Sequence, residues 1–277
     1  VSGTGFKNTS NLYCRFGTLS AVHGVYISST NVSCVSPMYQ IGTISVEVTT
    51  NGVDYSEDMV QYRYYASPAI SHIVPSSGPT EGGTVVSVYG RNFIDSDSLY
   101  CRFGNDSTVA GRWVSSDRVE CQTPSMVASS VVVEVTNNGF DYTANRVEFT
   151  VLPESVVTSV DPTFGPIGTS TSVTVHGSGF VFSRSLYCRF GLLSVAAMFV
   201  NDTMVVCSAP DAAQGSVDVR VSSNGVDYSK TSASYEYVDA HHVHDVLPRS
   251  GSTNGGTVVY VSGTGFKNTS NLYCRFG

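Results

Sequence analysis

Apolar and polar residues alternate along this chain with a period of two, in short bursts rather than long runs. Ile44, Val46 and Val48 are interleaved with Ser45, Glu47 and Thr49; Val131, Val133 and Val135 with Val132, Glu134 and Thr136; Val217, Val219 and Val221 with Asp218, Arg220 and Ser222. Successive side chains of an extended strand point to opposite faces, so each burst predicts an antiparallel strand with one face in a core and one in water. No segment carries a helical period. Each burst runs into an Asn-Gly pair, at Asn51, Asn138 and Asn224. That pair predicts a hairpin closed by a type I′ turn, which needs positive φ at both central residues. The return strands carry Tyr62 and Tyr64, Phe149 and Val151, and Tyr235 and Tyr237 at alternate positions. Read in full, the middle of the chain gives seven strands, over residues 70–74, 84–89, 99–103, 111–114, 118–122, 131–136 and 147–151. Seven short strands separated by turn signals predict a two-sheet immunoglobulin-like sandwich.

The pattern recurs at a fixed interval. Leu-Tyr-Cys-Arg-Phe-Gly begins at Leu12, Leu99, Leu186 and Leu272, spacings of 87, 87 and 86 residues. Gly3 and Phe6 return as Gly90 and Phe93, Gly177 and Phe180, and Gly263 and Phe266. Residues 1–17 and 261–277 are identical, whereas the copies in between differ from them at many positions. The order is therefore A-B-C-A, a three-domain unit that itself repeats every 260 residues. The expected domains are 1–66 (A), 67–152 (B), 153–238 (C) and 239–277, the start of the next A. On this reading residues 1–17 hold the second and third strands of a domain whose opening corresponds to residues 245–260.

Cysteines keep the same beat. Cys14 with Cys34, Cys101 with Cys121, and Cys188 with Cys207 give one pair per period, and Cys274 is the first member of a fourth pair whose partner lies beyond residue 277. One pair per domain at constant spacing reads as a disulfide and places the chain in an oxidising compartment, extracellular or on the cell surface. Zinc would ask for Cys-x-x-Cys or a Cys/His quartet, and neither occurs. Glycosylation sequons at Asn8, Asn31, Asn105, Asn201 and Asn268 fall between strand-like runs and point to the same compartment.

Charge narrows the function classes. Charged residues are 13% of the chain, against roughly a quarter in an ordinary soluble domain. The net charge of −7, with no basic stripe, argues against nucleic acid, whose binding depends on Lys and Arg neutralising phosphates. No apolar run is long enough to contact a membrane by spanning it. The candidate metal ligands are His241, His242 and His244, flanked by Asp239 and Asp245; the cluster occurs at one joint only, which favours a solvated linker. The acidic residues near the joints, Glu57, Asp58, Glu154 and Asp239, do not recur in register, so a periodic calcium site is not expected. Asp54, Asp141 and Asp227 sit beside the Asn-Gly turns, where a carboxylate is expected to cap backbone amides. No nucleophile elbow, phosphate loop or recurring Ser/His/Asp set is present, so neither an enzyme nor a cofactor is expected. Trp113 shares a register with Tyr26 and Phe199, as a packed core or sheet-face residue would.

The opening Pro75, Gly78, Pro79, Gly82, Gly83 and Thr84, the Gly-x-x-Phe step, the two cysteines and Asn-Gly-x-Asp-Tyr together resemble the IPT/TIG family over the whole chain. Repeat C departs at Thr169 and Ser170, which stand where Gly82 and Gly83 stand in B. The resemblance implies an all-β tandem array of immunoglobulin-like sandwiches of the kind found in plexin-type receptors, fibrocystin-like surface proteins and some transcription factors. Short, partly proline-bearing joints around Pro68 and Pro153 predict a stiff array. At about 40 Å per domain, one unit would span up to about 120 Å. The function expected first is a non-enzymatic extracellular filament or cell-surface fibre, self-associating along or between filaments or meeting surface proteins, matrix or glycans. The alternative is a receptor-like ligand-binding ectodomain, which would need an exposed patch or site in one domain that its siblings lack.

Overall fold

A computed structural model describes residues 1–105, 107–269 and 272–277, and among these no helix occurs. The chain forms two compact units, Val1–Ser67 and Pro68–Gly277.

The first unit holds β1 (Tyr13–Phe16), β2 (Val22–Ser28), β3 (Asn31–Cys34), β4 (Gly42–Thr49) and β5 (Val60–Tyr64), in the sheet order β3-β2-β1-β4-β5. Leu12, Cys14, Phe16, Val32, Val46 and Val48 form its core. Tyr62 stands edge-on to Phe16, with ring centroids 5.4 Å apart, and is 38% exposed.

In the second unit, repeat B contains β6 (Ala69–Val74), β7 (Ser77–Pro79), β8 (Val85–Arg91), β9 (Tyr100–Phe103), β10 (Ser107–Ala110), β11 (Arg112–Ser115), β12 (Arg118–Gln122), β13 (Ser129–Thr136) and β14 (Val147–Leu152). They make two sheets, β10-β9-β13-β14-β7 and β11-β12-β8-β6. Repeat C follows with β15 (Val156–Asp161), β16 (Phe164–Pro166), β17 (Ser172–Ser178), β18 (Tyr187–Phe190), β19 (Leu193–Asn201), β20 (Met204–Ser208), β21 (Gly215–Ser222) and β22 (Ala233–Val238). Here one strand, β19, pairs with both β18 and β20 and joins the two layers into a single eight-stranded sheet. The corresponding stretch of B is divided at Gly111 between β10 and β11. β23 (His242–Leu247) and β24 (Tyr260–Thr264) form a separate antiparallel pair.

The alternation read in the sequence becomes the core. Val133 and Val135 are fully buried with Phe103 and Phe149, whose rings meet edge-on at 5.7 Å; each such side chain contributes about 1.5–3 kcal/mol by leaving water. Cys101 on β9 and Cys121 on β12 bridge the two sheets through this core, with Cα atoms 6.3 Å apart. Cys14–Cys34 links β1 to β3 and Cys188–Cys207 links β18 to β20 at the same Cα separation of 6.3 Å. The Gly-x-x-Phe step has a steric cause. A Cβ on Gly90 would collide with the Ala69 carbonyl and come 2.7 Å from the Phe93 ring, which lies over the bare backbone.

Three expectations are corrected. Repeat B has two further strands, β7 and β10; β7 pairs in parallel with β14, so only three residues lie between the opening prolines and too little alternation shows. The Asn-Gly pairs do not close two-residue type I′ hairpins. The strands they follow pair with their return strands across residues 50–59, 137–146 and 223–232, and only the glycines, not Asn51, Asn138 or Asn224, have positive φ. The carboxylates beside them do not cap backbone amides either. The Asn51 carboxamide oxygen takes the amides of Val53 and Asp54 at 3.0 and 2.9 Å, while its nitrogen donates to Asp54 Oδ2 at 2.8 Å. Asn138 with Asp141 and Asn224 with Asp227 repeat the arrangement. A side chain that supplies its own turn geometry competes successfully with the tight hairpin.

Candidate functional site

The Asn-Gly-x-Asp loop gives repeat C its hold on repeat B. Residues 223–232 reach the opening turn of B, where Asn224 Nδ2 donates to the Ser77 carbonyl at 2.8 Å. The Thr84 hydroxyl, fully buried, donates to Asp227 Oδ2 at 2.7 Å. Lys230 and Glu81 form an ion pair beside them, and the hydrogen bond the Lys230 ammonium donates to Glu81 raises its pKa above the usual value. Asn224 holds Asp227 in place at 2.7 Å. The carboxylate thus accepts one bond from within its loop and one from the neighbouring repeat.

B reaches this contact with a Gly-Gly turn, Gly82 and Gly83 at φ of 76° and 87°. In C, where Thr169 and Ser170 occupy those positions, the positive φ moves to Gly168 at 72°, whose amide donates to Asp211 Oδ1 at 2.9 Å. C thus has one left-handed glycine, one residue before the position of the first of the two in B.

Beside the joint lies an open cleft of about 430 Å³, walled by Leu152, Pro153 and Glu154 on one side and by Arg189, Arg220 and Tyr228 of C on the other. Its C-side wall is built on a motif shared by all repeats. The Arg of each Tyr-Cys-Arg-Phe strand stacks on the Tyr of Asn-Gly-x-Asp-Tyr, at 4.0 Å for Arg15 and Tyr55, 3.9 Å for Arg102 and Tyr142, and 4.1 Å for Arg189 and Tyr228. In the first two repeats the facing strand completes a triad. Arg15 Nε donates to Glu47 at 2.8 Å and Arg102 Nε to Glu134 at 2.9 Å. In C the residue opposite Arg189 is Arg220. Arg220 turns to the Ser229 and Lys230 carbonyls, at 2.8 and 2.6 Å, and to Asp218 at 3.3 Å. Arg189 Nε is left buried without a hydrogen-bond partner.

The remaining sequence candidates fall elsewhere. His241, His242 and His244 are exposed, Asp245 is engaged by Arg249 at 2.7 Å, and among the described residues no three His, Cys, Asp or Glu side chains gather as a metal would require. β23 begins at His242, so His241 lies before the strand, and the register shifts between Val243 and Asp245, around His244, which breaks the regular alternation that would set His242 and His244 side by side. Asn8, Asn31, Asn105, Asn201 and Asn268 are all exposed; Asp106 and Ser270, which complete two of the sequons, lie outside the described residues. Cys274 is exposed and unpaired. Trp113 is 37% exposed and its indole N–H donates to the Phe93 carbonyl at 3.2 Å. The buried phenol of Tyr237 is pushed up to about 12, by burial first and then by Tyr235 and Asp211; burial raises Tyr235 as well. The joint itself was not singled out from sequence, although Glu47, Glu134 and then Arg220 at one register was visible there.

The family model for the IPT/TIG domain matches residues 1–64, 68–151, 155–237 and 242–277. Among curated proteins, human fibrocystin-L is 24% identical over 96% of this chain, which spans 6% of that relative's length. Plexin-2 of Caenorhabditis briggsae is 28% identical over 72% of the chain and 12% of its own length. Among solved structures, the full extracellular region of Plexin A4 aligns over 91% of this chain and 28% of that one, at 15% identity and a TM-score of 0.42. Four family matches that together cover nearly the whole sequence, over repeated disulfide-bonded sandwiches, identify the chain as a member of the IPT/TIG domain family.

Proposed function

We propose that this chain is a segment of a receptor-like extracellular region that binds proteins or glycans at the cell surface, with the B–C joint presenting a fixed two-domain face. The observation that carries the reading is the joint. A buried threonine, a loop asparagine and an ion pair tie two repeats together beside an open cleft, which is what a binding surface between domains needs and a freely jointed spacer does not. The three disulfides support an oxidising compartment, and the relatives, fibrocystin-L and the plexins, support a receptor-like setting. Its proposed role is recognition. Fused to an Fc dimer and secreted from cultured cells, the chain should bind a subset of cell lines saturably, with binding lost after surface proteolysis or glycan removal. Unsaturable or absent binding across a broad panel would refute the reading.

The identity of residues 1–17 with 261–277 favours a second reading, an extended structural fibre built from 260-residue units. Electron microscopy of an array of two or more units would test it. Regular axial assemblies would support the fibre, and dispersed single chains would count against it.

A further inference from the structure

We infer that the cleft between repeats B and C binds the oxyanion of a small acidic saccharide, a uronate carboxylate or a sulfate ester, through Arg189 and Arg220. The argument begins with what the other repeats do at the same place. Arg15 and Arg102 each face a glutamate across the strand pair. Counting the strand arginine, its cross-strand partner and the loop aspartate, the set is −1 in A (Arg15, Glu47, Asp54) and −1 in B (Arg102, Glu134, Asp141). It is +1 in C (Arg189, Arg220, Asp227). Like charges directly opposite in a sheet repel. Asp227 is already taken by Thr84 and Asn224, and Asp218 lies beside Arg220 rather than Arg189. Arg189 is therefore left with no carboxylate partner opposite it and a buried Nε with no acceptor, and both arginines line the cleft.

A buried guanidinium Nε–H without an acceptor is costly. The group that fits is the one present in A and B, a two-oxygen anion able to take parallel N–H bonds from a guanidinium. Here it must come from outside the chain. The cleft volume of about 430 Å³ falls in the small-molecule range and suits one or two sugar rings. Leu152 and Pro153 offer an apolar wall for a ring face, while Ser223 on the same lining offers a hydroxyl. Lys230 is spent on Glu81, and Glu154 is the carboxylate on the rim that opposes an incoming anion. The inference rests on the joint as the recognition surface of the proposed function. Loss of cell binding with oxyanion binding retained would refute that function alone, and the reverse result would refute this site alone.

The test is an NMR titration of the full ¹⁵N-labelled chain with D-glucuronate and with sodium sulfate, at ionic strength held constant by chloride, and with glucose as the neutral control. Both oxyanions should shift the amides around Arg189, Arg220 and Ser223, and glucose should not. Arg220→Glu rebuilds the pairing found in A and B, so the variant should fold and should weaken binding at least about tenfold, the scale of one charge-assisted hydrogen bond. Arg189→Gln should do the same, and Glu154→Gln should strengthen binding. Equal titrations for the parent and Arg220→Glu, or no localised shifts with either oxyanion, would overturn the site. Tighter binding of Gly-Glu-Gly than of glucuronate would overturn the saccharide assignment.

Discussion

The contact between Thr84 and Asp227 predicts that a substitution in repeat C destabilises repeat B. Thr84 is fully buried and its hydroxyl donates to a carboxylate 143 residues away in sequence. Thr84→Val keeps the shape and removes the donor; Asp227→Ala removes the acceptor and also takes from Asn224 Nδ2 one of its two acceptors, leaving the Ser77 carbonyl. A hydrogen bond to a charged group is worth about 1.5–3 kcal/mol. Asp227 is only half-buried, and solvent screening reduces the figure to about 1–2 kcal/mol. Trp113, the only tryptophan, lies in B, so its fluorescence during urea unfolding reports that repeat alone. Asp227→Ala should lower the Trp113 midpoint, whereas Asp202→Ala, on an exposed turn of C, should leave it unchanged. The double-mutant cycle should give a coupling of about 1–2 kcal/mol. Additivity within about 0.3–0.5 kcal/mol, or a Trp113 midpoint indifferent to Asp227→Ala, would refute the reasoning.

Three further outcomes follow from the core. The Tyr237 phenol titrates near 12 when folded and near 10 when unfolded, so its contribution is intact below pH 10 and is lost as pH rises toward 12. Through Tyr237 repeat C should lose up to about 1.4 kcal/mol per pH unit in that window, and Tyr237→Phe should reduce this dependence in denaturation at pH 9 and 11.5, leaving the share carried by Tyr235. Replacing Cys188 and Cys207 together by alanine opens a loop with a sequence separation of 19 and should cost about 3 kcal/mol, measured by calorimetry against the parent. Gly90→Ala forces a Cβ onto the Ala69 carbonyl and the Phe93 ring and should cost about 1–3 kcal/mol in the Trp113 transition; an unchanged midpoint would show that the backbone yields freely there.

Much of this architecture was legible because it is local and periodic. Val131, Val133 and Val135 alternate, and alternation states which face is buried; the 20- and 19-residue cysteine spacings recur, and recurrence states what is paired. What escaped is what depends on partners distant in sequence. β7 is three residues long and owes its existence to β14, some 70 residues on, so no window around Gly78 could announce it. The Asn-Gly pairs were read as hairpin turns because sequence shows the dipeptide and not the side chain of Asn224, which bonds both its own loop and Ser77, 147 residues earlier. Arg220 was visible as the polar member of a strand. Its meaning came only when the strand register set it opposite Arg189. The filament reading rested on repetition alone, and the relatives now lend more support to a receptor-like region.

The account turns on repeats B and C being held as one body by the loop that carries Asn224 and Asp227. Backbone ¹⁵N relaxation of the full chain tests this directly. Amides of residues 68–152 and 155–238 should report one shared rotational correlation time and diffusion tensor, and Asp227→Ala combined with Asn224→Ala should split them into two. Distinct correlation times for the two repeats in the unsubstituted chain would contradict the account.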